Sequence, residues 1–373
     1  MSRTSRPAPP RTLPARTTPP RPYDVEALFP VLASAPYRRT ATRLHPRQGT
    51  PRPDRSSVGG PLLWPAGEPW PVCSASHPKA TGYLLSDVRL GRRVLDAARG
   101  RDLTAAEHRL LAGTGPGRHA SAPRDEDPLP MLAVAQLFAR DVPDLACPEG
   151  YDLLQVLWCP FEAHGPDRTV GVELRWRRSA EVGAVLVPQP EPPVAGRAEC
   201  VPTPCVVHPE RVVEHAYLEL LPEELQEEIA VWEESLLDDG HDEADPTALA
   251  GHATYEEYAA AMAEARAREP EEYDYMSDLS VARGWKVGGF ASWHLTGPAP
   301  VDCAVCGTAM PPLLTVAARE CDGASRSWLP VEDREAADDP RVTDPAGVYL
   351  GRGLLRVHTC PADPAHPHRL TQG

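Results

Sequence analysis

The sequence predicts an α+β fold built from two diverged repeats of a mainly antiparallel β unit with flanking helices. Three observations carry this. Four sequence blocks recur in the same order in the two halves of the chain. The last two blocks are short, apolar and bounded by Pro, Gly and Asp, as strands at a sheet centre are. Between the blocks lie capped stretches with apolar residues at helical spacing. The 45 prolines argue for short strands and few long helices, because proline lacks a backbone donor and breaks helix interiors.

The blocks are these. Gly59-Gly60-Pro61-Leu62-Leu63-Trp64 matches Gly288-Gly289-Phe290-Ala291-Ser292-Trp293. A cysteine follows each tryptophan, Cys73 nine residues on and Cys303 ten residues on. Pro130–Ala135 matches Pro312–Ala317, and Leu153–Pro160 matches Leu354–Pro361. Glycine tolerates positive φ, so each Gly-Gly suits a tight turn; a loop that hugs a ligand is the other reading.

The elements follow in chain order. Residues 1–22 are rich in Arg, Pro, Thr and Ser and hold too little apolar surface to order themselves. The first half spans 23–215 and carries an insertion at 78–127 with no counterpart in the second half. In it Thr104 and Glu107 form a capping box ahead of Leu110 and Leu111, and Gly113 stands at the C-cap. Residues 188–200 are a Pro-rich loop. The second half spans 216–373 and opens with a helical acidic connector. Pro222 starts a helix whose Leu225, Ile229, Trp232 and Leu236 share one face. After an acidic loop at 237–251, Thr254 and Glu257 cap another helix that carries Tyr258, Met262 and Ala265.

The net charge of −15 argues against nucleic-acid binding, which needs a basic face. From Tyr217 to Gly251 there are twelve acidic residues and no Lys or Arg. That run is either a solvated helix face or a docking surface for a basic protein partner. Lys79 and Lys286 are the only lysines. No apolar run approaches the roughly 18 residues of a membrane span, and no signal-peptide core stands at the start. A cytoplasmic location is the expectation. The nine cysteines are then buried hydrophobes or metal ligands rather than disulfides.

Cys303-Ala304-Val305-Cys306-Gly307 has the shape of a zinc knuckle, two thiolates presented by a tight turn. Cys360 is the third candidate ligand. For the fourth, Asp363 sits where a second C-x-x-C would place a cysteine, with His358, His366 and His368 nearby; imidazole completes such a site better, which favours His366. An empty cysteine pair and a redox pair are the alternatives. The first half echoes the pattern with Cys73, His77, Cys159 and His164, which form either a second metal site or unliganded residues. Cys147, Cys200, Cys205 and Cys321 lack partners and read as packing residues. No G-x-S-x-G, H-E-x-x-H, Walker or kinase pattern occurs. His208-Pro209-Glu210 and Glu214-His215 read as loop neighbours rather than catalytic pairs.

The order Gly59-Gly60-Pro61, Trp64-Pro65, Glu68-Pro69-Trp70-Pro71 and Leu132–Leu137 resembles the YwqG-like family of bacterial proteins. So do Lys286–Gly289, Trp293, Cys303, Cys306-Gly307, Trp328, Pro330, Asp333, Gly351, Gly353–Leu355 and Cys360-Pro361 in the second half. The pattern is also similar, more distantly, to programmed cell death protein 2. The resemblance implies a duplicated, mostly antiparallel α+β fold with no established enzyme activity, and an immunity or escort role. Asp363 departs from the usual second C-x-x-C. The functional expectation is therefore a protein-binding protein of the escort or immunity type with a structural zinc. The alternative is an enzyme or small-molecule binder that uses a cleft between the halves, lined by Trp64, Trp70 and Trp293.

Overall fold

A computed structural model describes residues 15–117, 119, 123–238, 273–293 and 297–373. The capped helix expected at Thr254 and most of the acidic loop lie outside them. The strands in chain order are β1 (Arg38–Arg43), β2 (Arg47–Gln48), β3 (Ser57–Val58), β4 (Val72–Cys73), β5 (Tyr83–Leu84), β6 (Leu129–Pro130), β7 (Leu132–Phe138), β8 (Leu153–Trp158) and β9 (Val172–Arg177). The second series is β10 (Val194–Ala195), β11 (Cys205–Val206), β12 (Glu210–His215), β13 (Lys286–Gly288), β14 (Pro312–Ala317), β15 (Leu354–His358) and β16 (Arg369–Gln372). They make an α+β fold with two six-stranded antiparallel sheets, β2-β11-β3-β7-β8-β9 and β12-β1-β13-β14-β15-β16.

The two sheets share one strand order. β3, β7, β8 and β9 occupy the stations that β13, β14, β15 and β16 occupy in the other. Each ladder slips once at the same station, between Ala133 and Ala135 in β7 and between Pro312 and Leu314 in β14. The leading strands differ: β11 joins β3, so the first sheet lies within residues 47–206, whereas β12 and β1 precede β13, so the second sheet contains strands from both ends of the chain. A boundary at 215/216 therefore leaves the first sheet intact but cuts the second, which takes β1 and β12 from before it. The register also corrects one block. Gln136 faces Gln155 where Thr315 faces Arg356, so Ala133–Phe138, not Pro130–Ala135, is the counterpart of Pro312–Ala317. The difference of three residues matters because an odd shift turns every side chain to the opposite face.

The facing sides of the two sheets share one apolar core, with Val134, Val156 and Trp158 from one and Leu314, Val316, Leu355 and Val357 from the other. The space between the sheets is thus filled at its centre. Trp64 is fully buried on the outer side of the first sheet, beside Trp70, so neither lines a cleft between halves. Trp293 borders a separate groove with Tyr37, Phe290 and Met310.

Helices fill the connections: α1 (Val25–Leu28), α2 (Leu85–Ala97), α3 (Ala105–Ala112) and α4 (Glu223–Asp238). The α3 capping box forms as read, with Glu107 N donating to Thr104 Oγ1 and Thr104 N donating to Glu107 Oε2. On α4, Leu225 and Ile229 are buried against α1, Tyr275 and Phe290.

The segment 15–22 is a correction to the disordered tail expected at 1–22. Its polar side chains find specific partners. Arg16 pairs with Asp333 at 3.0 Å, Thr17 bonds Glu332, Thr18 bonds Glu210, and the Arg21 guanidinium lies 3.7 Å from the Trp328 ring centroid. Hydrogen bonds and a cation–π contact replace the apolar burial that the composition lacks.

His45 beneath this segment donates from Nε2 to Glu210 at 3.0 Å, with Glu320 near its other nitrogen. Burial, and then the Arg43 and Arg47 charges, hold its pKa well below the usual imidazole value, against the pull of Glu210. The unfolded chain then takes up the proton first as pH falls. Stability is complete above about pH 6.5 and declines below it, by up to about 1.4 kcal/mol per pH unit from this group. Urea unfolding between about pH 7 and pH 5 should show a shallower pH dependence in His45→Gln; equal slopes in both proteins would remove His45 from the account.

Candidate metal centres

Two four-residue clusters lie at equivalent ends of the two sheets. In the first, β4 ends on Cys73 and the following loop turns back to bring His77 beside it. Cys159 comes immediately after β8, and His164 sits in the β8–β9 hairpin, where it exchanges backbone hydrogen bonds with Thr169. In the second, Cys303 and Cys306 flank a turn closed by Gly307 N donating to Cys303 O at 2.8 Å, and Gly307 takes a φ of 69° that suits glycine. Cys360 follows β15, and His366 sits in the β15–β16 hairpin.

In each cluster the four ligand atoms lie within 4.8 Å of one another. Cys73 Sγ and Cys159 Sγ are each 3.3 Å from His77 Nε2, and Cys73 Sγ is 3.7 Å from His164 Nε2. Cys303 Sγ is 3.3 Å from His366 Nδ1, and Cys306 Sγ is 3.5 Å from Cys360 Sγ. A tetrahedral zinc with ordinary bond lengths sets S···N at about 3.6 Å and S···S at about 3.8 Å. These five separations come within a few tenths of an ångström of those in a ligand shell. All nine cysteines are free thiols.

Several details fit this chemistry. Two thiolates would balance a divalent ion in the first cluster, where Cys73, His77 and Cys159 are buried. Three thiolates leave one negative charge in the second, where Cys306 reaches solvent. Thr308, through its hydroxyl first and its backbone second, stabilises the Cys306 thiolate and draws its pKa down to about 6. Burial and the neighbouring Cys73 push Cys159 up, and burial brings His77 down to about 4, so it offers a neutral ring. His77 stacks on Phe161 at 4.6 Å. Gly171 lies under His164, where an added Cβ would come 3.1 Å from the ring.

The geometry sorts the candidates for the fourth position. His366 completes the second cluster, and Asp363 Oδ2 stands behind it, 3.7 Å from Nε2, in an orienting place. His358 is engaged at both nitrogens, Nδ1 with Met310 O and Nε2 with Thr371 Oγ1. His368 joins neither cluster. Cys200, Cys205 and Cys321 are buried and Cys147 is half-buried. Burial first raises each of their pKa values, to about 12, 12, 11 and 11, so these stay protonated thiols.

One set of residues escapes motif reading. On the outer face of the second sheet, Arg43, Lys286, Thr315 and Arg356 form a single cross-strand row. Lys286 donates to Glu214 Oε1 at 2.5 Å with both side chains buried. The available signal was a charge inside an apolar strand, as in Leu354-Leu355-Arg356-Val357.

Fold and site define an α+β protein with two Cys/His clusters, each able to hold a metal ion. No helix among the described residues is long and apolar enough to cross a membrane. A scan against models of known protein families finds no match to the chain, and a search of the curated proteins finds none.

Proposed function

We propose that each cluster holds one structural zinc ion and that the protein is a zinc-braced, non-enzymatic binding protein of the escort or immunity type. The observation that supports this best is the closed donor set: two Cys and two His, or three Cys and one His, with ligand atoms within 4.8 Å. Soft sulfur and imidazole donors in tetrahedral array suit zinc. Four protein ligands leave no position for water or substrate, which marks a structural site. The five ligand thiols must stay reduced, which suits the cytoplasm. The YwqG-like resemblance and a duplication behind the shared strand order belong to the same proposal.

The partner surface is α4, whose Glu223, Glu224, Glu227, Glu228 and Glu234 are exposed. Glu233 differs, because it accepts Tyr275 N at 2.7 Å and caps the following segment. The exposed five would engage a basic protein. Elemental analysis of protein purified without chelator should give two zinc ions per chain, and zero would sink the reading. Changing the five exposed glutamates to Gln should weaken a basic partner on the order of tenfold and flatten the salt dependence. Undiminished binding would move the partner surface elsewhere.

A further inference from the structure

The geometry points to a binding site for a small phosphoryl-bearing anion on the outer face of the second sheet. The two sheets correspond station by station. In the first sheet the central outward row is Ser57, Gln136, Gln155 and Arg175; in the second the same stations carry Lys286, Thr315, Arg356 and Thr371.

In the first sheet this row is closed. The segment after β3 lies over it, and the glutamines tie it down. Gln136 Oε1 accepts from Leu63 N at 2.6 Å and from Gln155 Nε2 at 2.8 Å. Gln136 Nε2 donates to Pro53 O and Arg55 O, Gln155 Nε2 donates to Leu63 O, and Arg177 Nε donates to Gln155 Oε1.

In the second sheet one of these links survives. Arg356 donates to Ser292 O, the station of Leu63 O. Thr315 is too short to play the part of Gln136. A cavity of about 190 Å³ lies here, bordered by Thr315, Arg356, Arg283, Arg319, Arg352 and Asp322 among others. Arg356 and Thr315 are only 1% and 3% exposed, yet Arg356 Nη1 and Thr315 Oγ1 have no hydrogen-bond partner, and neither has Arg283 Nε. Buried donors without partners are rare and costly, and three side chains that carry one border this cavity, which marks it as a place for an acceptor.

Charge selects the acceptor. Among the described residues no carboxylate pairs within 4.0 Å with Arg283, Arg319, Arg352 or Arg356; Lys286, which also borders the cavity, is already paired with Glu214. Burial lowers the Arg356 pKa to about 10, which leaves it a cation at neutral pH. Asp322 at the rim is the one acid among the bordering side chains named above. Four guanidinium groups against one carboxylate, in a chain of net charge −15, favour a multiply charged oxyanion. Guanidinium forks match phosphoryl oxygens in pairs. The site is remote from the metal clusters: it lies where β14 ends and β15 begins, whereas Cys303, Cys306 and Cys360 lie at the opposite ends of those strands.

The test uses the full-length, metal-loaded protein and inorganic phosphate as the probe, with sodium chloride at matched ionic strength and succinate as the carboxylate counterpart. Two variants accompany it. Arg283→Gln with Arg352→Gln removes two rim cations. Thr315→Gln with Arg356→Gln rebuilds the glutamine pair of the first sheet and should fold with a closed face. Phosphate should raise the wild-type Tm progressively by mass action and chloride should not. The rim variant should need on the order of tenfold more phosphate, and the rebuilt variant should not respond. The proposal is overturned if phosphate acts no differently from chloride on the wild type. It is also overturned if both variants respond as the wild type does, or if succinate binds as tightly as phosphate.

Discussion

Replacing Cys303 and Cys306 by Ser should remove one metal ion per chain and lower Tm on the order of 10 °C. The size follows from what else holds that region. Around the second cluster the buried apolar residues are Cys303, Met310 and Cys360, with Val301 partly buried. Two of the three are ligands themselves. Without the ion, little apolar burial remains to fix residues 297–311 or the loop from Thr359 to His368. Structural zinc contributes about 10–16 kcal/mol of apparent binding energy in small domains, so losing even a third of that costs several kcal/mol. The first cluster is set among Leu62, Trp64, Leu129, Met131, Leu157 and Phe161. Cys73→Ser with Cys159→Ser should therefore also lose one metal ion but leave the surrounding backbone better protected. Elemental analysis beside hydrogen exchange separates the two cases. An unchanged Tm and metal content in the Cys303/Cys306 variant would show that the cysteines merely pack.

Glu214→Ala should be the most destabilising single substitution in the second sheet, at about 4 kcal/mol. Glu214 is fully buried and accepts from Lys286 Nζ, from Ala282 N at 2.9 Å and from Phe290 N at 2.7 Å. Its loss strands a buried ammonium and two backbone donors together. Lys286 already has its pKa pushed down, chiefly by burial, with Glu214 opposing. Lys286→Met should cost less, because the carboxylate keeps its two backbone donors. The pair should couple by about 2 kcal/mol in a double-mutant cycle, the double variant being less destabilised than the sum. Urea unfolding of the three variants measures this, and additive losses would contradict the pairing. Gly289 belongs to the same arrangement. Its φ of 73° and its contact with the Glu214 carboxylate leave no room for a side chain.

Local features were legible in the sequence. The α3 capping box, the Cys303–Gly307 turn and the apolar face of α4 are each encoded within a few residues, because caps, turns and periodicity are short-range. The eight clustered Cys and His residues were also legible, since Cys73, Cys159, Cys303 and Cys360 mark the same stations in two matching blocks. What remained open was which of several neighbouring groups completes the second cluster. Asp363, His358, His366 and His368 lie within eleven residues of one another, and spacing alone cannot tell a ligand from a residue that supports it.

Pairing between distant segments was decided by the tertiary structure alone. The placement of β1 and β12 in the second sheet leaves no local trace, because a short strand fits any ladder that offers it an edge. The three-residue slip in the Pro312 block has the same origin: apolar runs resemble one another at several offsets, and cross-strand partners such as Gln136–Gln155 and Thr315–Arg356 choose among them. The ordering of 15–22 was hidden because composition counts apolar burial, whereas Arg16, Thr17, Thr18 and Arg21 are held by partners about 190–320 residues away. The sequence by itself determined which Cys and His residues are candidates for a shared site and where the central strands lie. Only the folded chain decided which strands meet, and with them where unpaired charge is buried.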